Sequence, residues 1–158
     1  MTARSLVIGV SAFIAMEGTA ALVHRFVMHR SGWGWHESHH APVTGRFERN
    51  DRFPLVFAAL TVVALVAGVF VEGLGVLVPI GWGVTAYGSA YLVVHDLGIH
   101  RRVRRVRLPD PFIGRLRAAH HVHHVTGEAP YGFVVPLASR ARREAAARFP
   151  ADRTIRTR

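Results

Sequence analysis

Three long apolar stretches run along this 158-residue chain, and polar, histidine-bearing stretches follow the first and the third. Residues 5–23 are apolar apart from Glu17 and small polar side chains, and a helix through them runs straight into His24. Residues 54–71 are eighteen residues without a charge, long enough to cross a bilayer as a helix. Glu72 and Gly73 mark a tight turn, and residues 74–94 are a third uncharged run. Pro79, Gly81, Gly83 and Gly88 kink that run and permit close helix contact, as one bent span or as a re-entrant hairpin at Pro79. Residues 31–53 are polar and broken by Gly32, Gly34, Pro42 and Gly45. From residue 95 the chain is polar and Arg-rich, with a helical reading for 137–149 inside a basic tail over 137–158. A cleaved signal peptide over 5–23 fits poorly: one Arg precedes the run, and cleavage near Ala21 would remove the helix that positions His24. The pattern predicts an all-α, multi-pass membrane protein of about three or four transmembrane helices, residues 1–158 forming one domain.

Composition narrows this further. The chain has no cysteine, which excludes a disulfide framework and thiolate metal sites. Its net charge is +10, and all twenty basic residues are Arg. A basic chain could bind nucleic acid, but the long uncharged runs favour a lipid bilayer as partner. Three crossings put residues 24–53 and 95–158 on one side. Nineteen Arg lie there and only Arg4 lies opposite, so the positive-inside rule makes that face cytoplasmic.

All eleven histidines fall on this face, in a repeated figure. His24 and His29 form H-x4-H, and His36, His39 and His40 form H-x2-HH; His95 and His100, then His120, His123 and His124, repeat both in order. Only His121 falls outside the spacing. On a helix at about 100° per residue each triplet shares one face. An H-x4-H pair is turned by about 140°, so it needs a frayed helix end or separate metals. Ten imidazoles exceed one octahedral coordination sphere, so the pattern predicts a two-metal site. Imidazole suits zinc, copper, iron and nickel alike. A solvated or pH-sensing histidine patch is the plainer alternative, but scattered histidines do not segregate in this way.

The surroundings restrict the chemistry. Hydrolytic zinc sites use three protein ligands per metal, and transporters place ligands near the bilayer midplane, whereas these histidines begin where the spans end. A site there suits a hydrophobic substrate whose reacting end reaches the interface. Oxidising an unactivated C–H bond needs a redox metal, which points to iron. Soluble di-iron bundles use two Glu-x-x-His motifs, and only Glu37–His40 supplies one. Glu37, Asp96 and Asp51 are instead candidates to orient imidazole N–H groups, or plain solvated acids. Glu17, a carboxylate inside a span and seven residues before His24, is a candidate for an inward polar role or a structural hydrogen bond. Trp33, Trp35, Trp82, Tyr87, Tyr91 and Phe133 are candidates to line a substrate channel, or to form interface belts and helix packing.

The four histidine figures resemble those of the membrane fatty acid hydroxylase superfamily and, more narrowly, of the bacterial-type β-carotene 3-hydroxylases. HRFVMH, GWGWHESHH, GRFERND, TAYG and HDLGIHRR all resemble that group, over about residues 16–136. The resemblance implies a non-haem di-iron monooxygenase with two iron ions on the ten spaced histidines. It would hydroxylate C3 and C3′ of β-ionone rings in a membrane-dissolved carotenoid, using O2 and electrons relayed from NADPH by ferredoxin. It also implies a multi-pass protein of the bacterial inner membrane. Residue 121 departs from the group, which more often carries a basic or other polar residue there. The alternatives are a fatty acid or sterol hydroxylase or desaturase of the wider superfamily, and a histidine-rich metal transporter or store.

Overall fold

A computed structural model describes residues 2–41, 47–103, 105–106 and 108–135, with nothing drawn from the side chains of residues 110–112. The helical expectation for 137–149 and the basic tail lie outside the described residues. Among them the structure is all-helical, without strands. Helix α1 is Ala3–Val23, capped by Thr2, whose Oγ1 accepts the Ser5 N–H at 3.2 Å. It continues without a break as a π-helical segment, His24–Ser31. A short α2, Trp33–His40, follows. After a 3₁₀ turn, Arg49–Asp51, helix α3 covers Arg52–Phe70. Helix α4, Leu77–Tyr91, again continues as a π-helical segment, Leu92–Ile99, and α5 is Asp110–Thr126.

Among the described residues, three continuous rods are long and apolar enough to cross a membrane: Ala3–Ser31, Arg49–Phe70 and Leu77–Ile99. Residues 74–94 therefore join one span rather than a hairpin at Pro79, which lies in the first turn of α4, where its missing N–H costs nothing. The turn before it passes Gly73, whose φ of +83° suits a residue without Cβ.

Many large apolar side chains point outwards, among them Leu6, Val10, Ile14, Leu60, Val63 and Val66. In water they would form the kind of patch that drives association; against lipid tails they face their own kind. With no water to expel, helices in lipid associate through close packing of small residues. At the α1–α4 crossing a Cβ on Gly83 would collide with the Gly9 carbonyl, so glycine there lets the two backbones touch. That crossing fixes the two rods side by side, and their π-helical ends carry His24, His29 and His95 to the same end of the bundle.

Candidate metal centre

The π-helical segments do what a regular α-helix cannot. Their backbone bonds run from residue i+5 back to i: the His100 N–H donates to the His95 carbonyl at 2.9 Å, and the Gly32 N–H to that of Val27 at 2.8 Å. Each fifth residue then sits over the first. The His24 and His29 ring centroids are 5.1 Å apart, and those of His95 and His100 4.5 Å. Neither a frayed end nor separate metals is needed to use both members of an H-x4-H pair, because the π-helix turns less per residue than an α-helix and so brings the fifth residue back towards the first.

Two clusters result. His24, His29, His36, His40 and His123 bring ring nitrogens within 4.8 Å of one another, and so do His39, His95, His100 and His120. His124 joins the second, its Nε2 lying 2.8 Å from His120 Nε2 and 3.2 Å from His39 Nε2. Each triplet keeps its outer two histidines for its own half of the chain and lends the middle one to the other. His39 crosses to the cluster on α4, and His123 crosses to the cluster on α1. Among the described residues, His121 belongs to neither group.

The outward ring nitrogens show what the inward ones are for. His24 Nδ1 donates to the Tyr131 carbonyl at 2.9 Å, His36 Nδ1 to Asn50 Oδ1 at 2.8 Å, and His123 Nδ1 to the Glu128 carbonyl at 2.7 Å. His95 Nδ1 donates to Asp96 Oδ1 at 2.8 Å, and His39 Nδ1 faces Glu48 Oε2 at 3.4 Å. Oxygen acceptors require these nitrogens to carry the proton, which leaves a bare lone pair on each Nε2. His24 Nε2 and His36 Nε2 therefore face each other, lone pair to lone pair, at 3.0 Å. His95 Nε2 is buried without any hydrogen-bond partner. A cation resolves both conflicts, and outward hydrogen bonds of this kind orient metal-binding imidazoles.

Burial suppresses the protonated alternative. It pulls His36 and His123 down to about 3 and His40 to about 4, and takes His39, His100, His120 and His124 well below the ordinary imidazole value; neighbouring imidazoles add to the effect. Neutral imidazole is the form a metal binds.

Glu17 reaches no histidine. Its carboxylate accepts the Tyr87 hydroxyl at 2.6 Å and the N–H groups of Phe133, Val134 and Val135, each at 3.0 Å. A side chain on Gly132 would come within 2.6 Å of Glu17 Oε1. This clamp aims Phe133 into the seam between the clusters, stacked on His24 at 5.1 Å and edge-on to His95 at 5.1 Å. Tyr91 stacks on His95 at 4.6 Å, and Trp33 lies 5.6 Å from His29 and 5.5 Å from His40. The structure does not bring Trp35 or Tyr87 to the histidines: Trp35 packs on Phe53, and Tyr87 on Phe13. Trp82 is exposed on α4.

The fatty acid hydroxylase profile matches residues 9–141, most of the chain. The chain belongs to the fatty acid hydroxylase family. Over 139 residues it is 42% identical to a β-carotene hydroxylase of Pseudescherichia vulneris, covering 85% of this chain and 77% of that one. It is 43% identical over 126 residues to the β-carotene hydroxylase of Pantoea ananas, covering 77% and 71%. It is 39% identical over 130 residues to the chloroplastic β-carotene 3-hydroxylase 1 of Arabidopsis thaliana, covering 79% of this chain and 42% of the plant protein. No solved structure matches.

Sequence reasoning missed two partners of the imidazoles, Asn50 and Glu48. Asn50 is buried, and its own N–H donates to Ser38 Oγ at 3.0 Å, which aims its Oδ1 at His36. Glu48 faces His39, whereas Glu37, a candidate to orient an imidazole, meets none. Glu37 is exposed and lies 3.6 Å from Arg49. The signal for Glu37 was in the helix itself: one residue past His36 it is turned about 100° off the histidine face. Asp96 does meet an imidazole, that of His95, while Asp51 pairs with Arg102 at 2.8 Å.

Proposed function

We propose that this protein hydroxylates the β-ionone rings of β-carotene at C3 and C3′, giving cryptoxanthin and then zeaxanthin. Two iron ions on the ten histidines, O2, and electrons from a ferredoxin-type donor supplied by NADPH complete the system. The observation that carries the reading is the paired imidazole cluster, its lone pairs converging at the ends of membrane-length helices, in a relative of carotenoid hydroxylases. When bound, the irons supply the redox chemistry that oxygen insertion into an unactivated C–H bond needs and zinc lacks.

The chain's own part is to bind, orient and exclude. One position is held by His24, His29, His36, His40 and His123, the other by His39, His95, His100, His120 and His124. Outward Nδ1 hydrogen bonds keep the Nε2 lone pairs fixed inward. Phe133 and Tyr91 close off one side of the pair with hydrocarbon. Trp33, partly exposed and lying against His29 and His40, offers a flat surface on which a ring arriving from the lipid can rest. The site faces the cytoplasm of the bacterial inner membrane, where the exposed Arg101 and Arg105 suit an acidic electron donor. Residues 1–158 work as one membrane-embedded unit.

Expression in a β-carotene-producing bacterium, followed by pigment chromatography, tests the reading. Cryptoxanthin and zeaxanthin are expected. Unchanged β-carotene beside a hydroxylated or desaturated fatty acid or sterol would move the protein to another substrate of the family. Metal tolerance without any lipid product would make it a carrier or store.

A further inference from the structure

Arg102 belongs by sequence to the basic run 101–107, yet it does not share the fate of a solvated cation. Just past the π-helical end of α4 the chain turns through Arg101, whose φ is +51°, and the Arg102 N–H donates to the Asp96 carbonyl at 2.9 Å. That turn swings the Arg102 side chain inwards, to 21% exposure. Its guanidinium meets Glu48 Oε1 at 3.0 Å, Asp51 Oδ1 at 2.8 Å and Asp96 Oδ2 at 3.6 Å. Glu48 and Asp96 are each divided between two partners: one oxygen faces Arg102, and the other faces an imidazole, His39 at 3.4 Å and His95 at 2.8 Å. Asp51 braces the arrangement by accepting the Glu48 N–H at 2.9 Å.

We propose that Arg102 is the positioning residue of the metal position formed by His39, His95, His100, His120 and His124. The proposal rests on the two-metal reading above and goes beyond it. The planar fork of a guanidinium can hold two carboxylates at a fixed separation, which a lysine ammonium cannot. Arg102 thereby locks the one histidine that crosses from the N-terminal half against His95 on the π-helical continuation of α4. It also gathers three carboxylates on this side, so the charge of the bound cation is balanced here. At the other position, among the described residues, the outward nitrogens of His24, His123 and His36 end instead on the Tyr131 and Glu128 carbonyls and the Asn50 amide.

The test uses the full-length protein in detergent, loaded with isotopically enriched iron and read by metal analysis and Mössbauer spectroscopy. His95→Ala and His24→Ala identify the signal of each position. Arg102→Ala and Arg102→Lys are expected to weaken iron binding about 10- to 100-fold at the position that His95→Ala removes. The signal that His24→Ala removes should stay as in the wild type. Glu48→Gln and Asp96→Asn, which keep Arg102, should act on the same position and decide the matter where the Arg102 variants do not accumulate. Unchanged signals in these variants, or equal loss from both positions, would overturn the proposal while leaving two metals in the wild type. A wild-type protein that binds no iron would overturn the two-metal reading itself.

Discussion

The cluster on α1 and the cluster on α4 are built from the same histidine spacing, but they are braced by different chemistry. The first leans on neutral acceptors, two backbone carbonyls and an amide; the second leans on two carboxylates tied to a guanidinium. Neutral acceptors fix a ring's direction and little else. A carboxylate also increases the basicity of the imidazole it holds. Two positions with the same ligand type can therefore hold metals of unequal electron density. The brace is the feature that distinguishes them, because the imidazole sets alone are nearly interchangeable.

The largest effects should come from the two histidines that cross between clusters. His39→Ala and His123→Ala each remove a buried imidazole from its cluster, and no detectable hydroxylated product is expected from either in the pigment assay. Residual product from one but not the other would show that only one cluster is essential. Next come the braces: Asn50→Ala should weaken metal binding at the first position about 10- to 100-fold and spare the second. Loss from both would mean that the two share one hydrogen-bond network.

Acid should strike the first cluster, and burial also holds His39, His100, His120 and His124 of the second well below the ordinary value. His36 and His123 are held near 3 when folded, against 6.5 as the ordinary value. Between those limits the unfolded chain binds protons that the folded one refuses, so stability falls as pH drops from 6.5 towards 3 and is full above that window. Thermal unfolding of the detergent-solubilised protein measures this, and a melting temperature flat across the window would contradict it. Gly132→Ala touches only the seam, pushing Glu17 Oε1 and with it the Phe133 loop. It should destabilise by about 1–3 kcal/mol in denaturant titration while both metals remain. His121→Ala, outside both groups, should have the smallest effect, with product reduced less than about tenfold by chromatography.

What was legible in the sequence follows the range of each interaction. The H-x2-HH triplets could be read because three imidazoles on one face depend only on local helix geometry, and the spans because apolar length is local too. The π-helical winding was not legible, although H-x4-H marked the place where a regular helix would fail. The exchange of His39 and His123 depends on how α2 and α5 meet across the bundle, which no local spacing encodes. Glu17 was visible as an anomaly inside a span, but its role as a clamp on residues 133–135 joins positions more than a hundred residues apart. Asn50, Glu48 and Arg102 looked like ordinary loop polarity until the chain turned them inwards.

The central claim is that ten histidines make two metal positions, each completed by one histidine from the other half of the chain. Its most direct measurement is the metal content of purified wild-type protein beside His39→Ala and His123→Ala, with the spectroscopic signal of each remaining metal. The account predicts two irons per chain in the wild type and one in each variant, with the two variants retaining different signals. One iron in the wild type, or the same signal surviving in both variants, would contradict it.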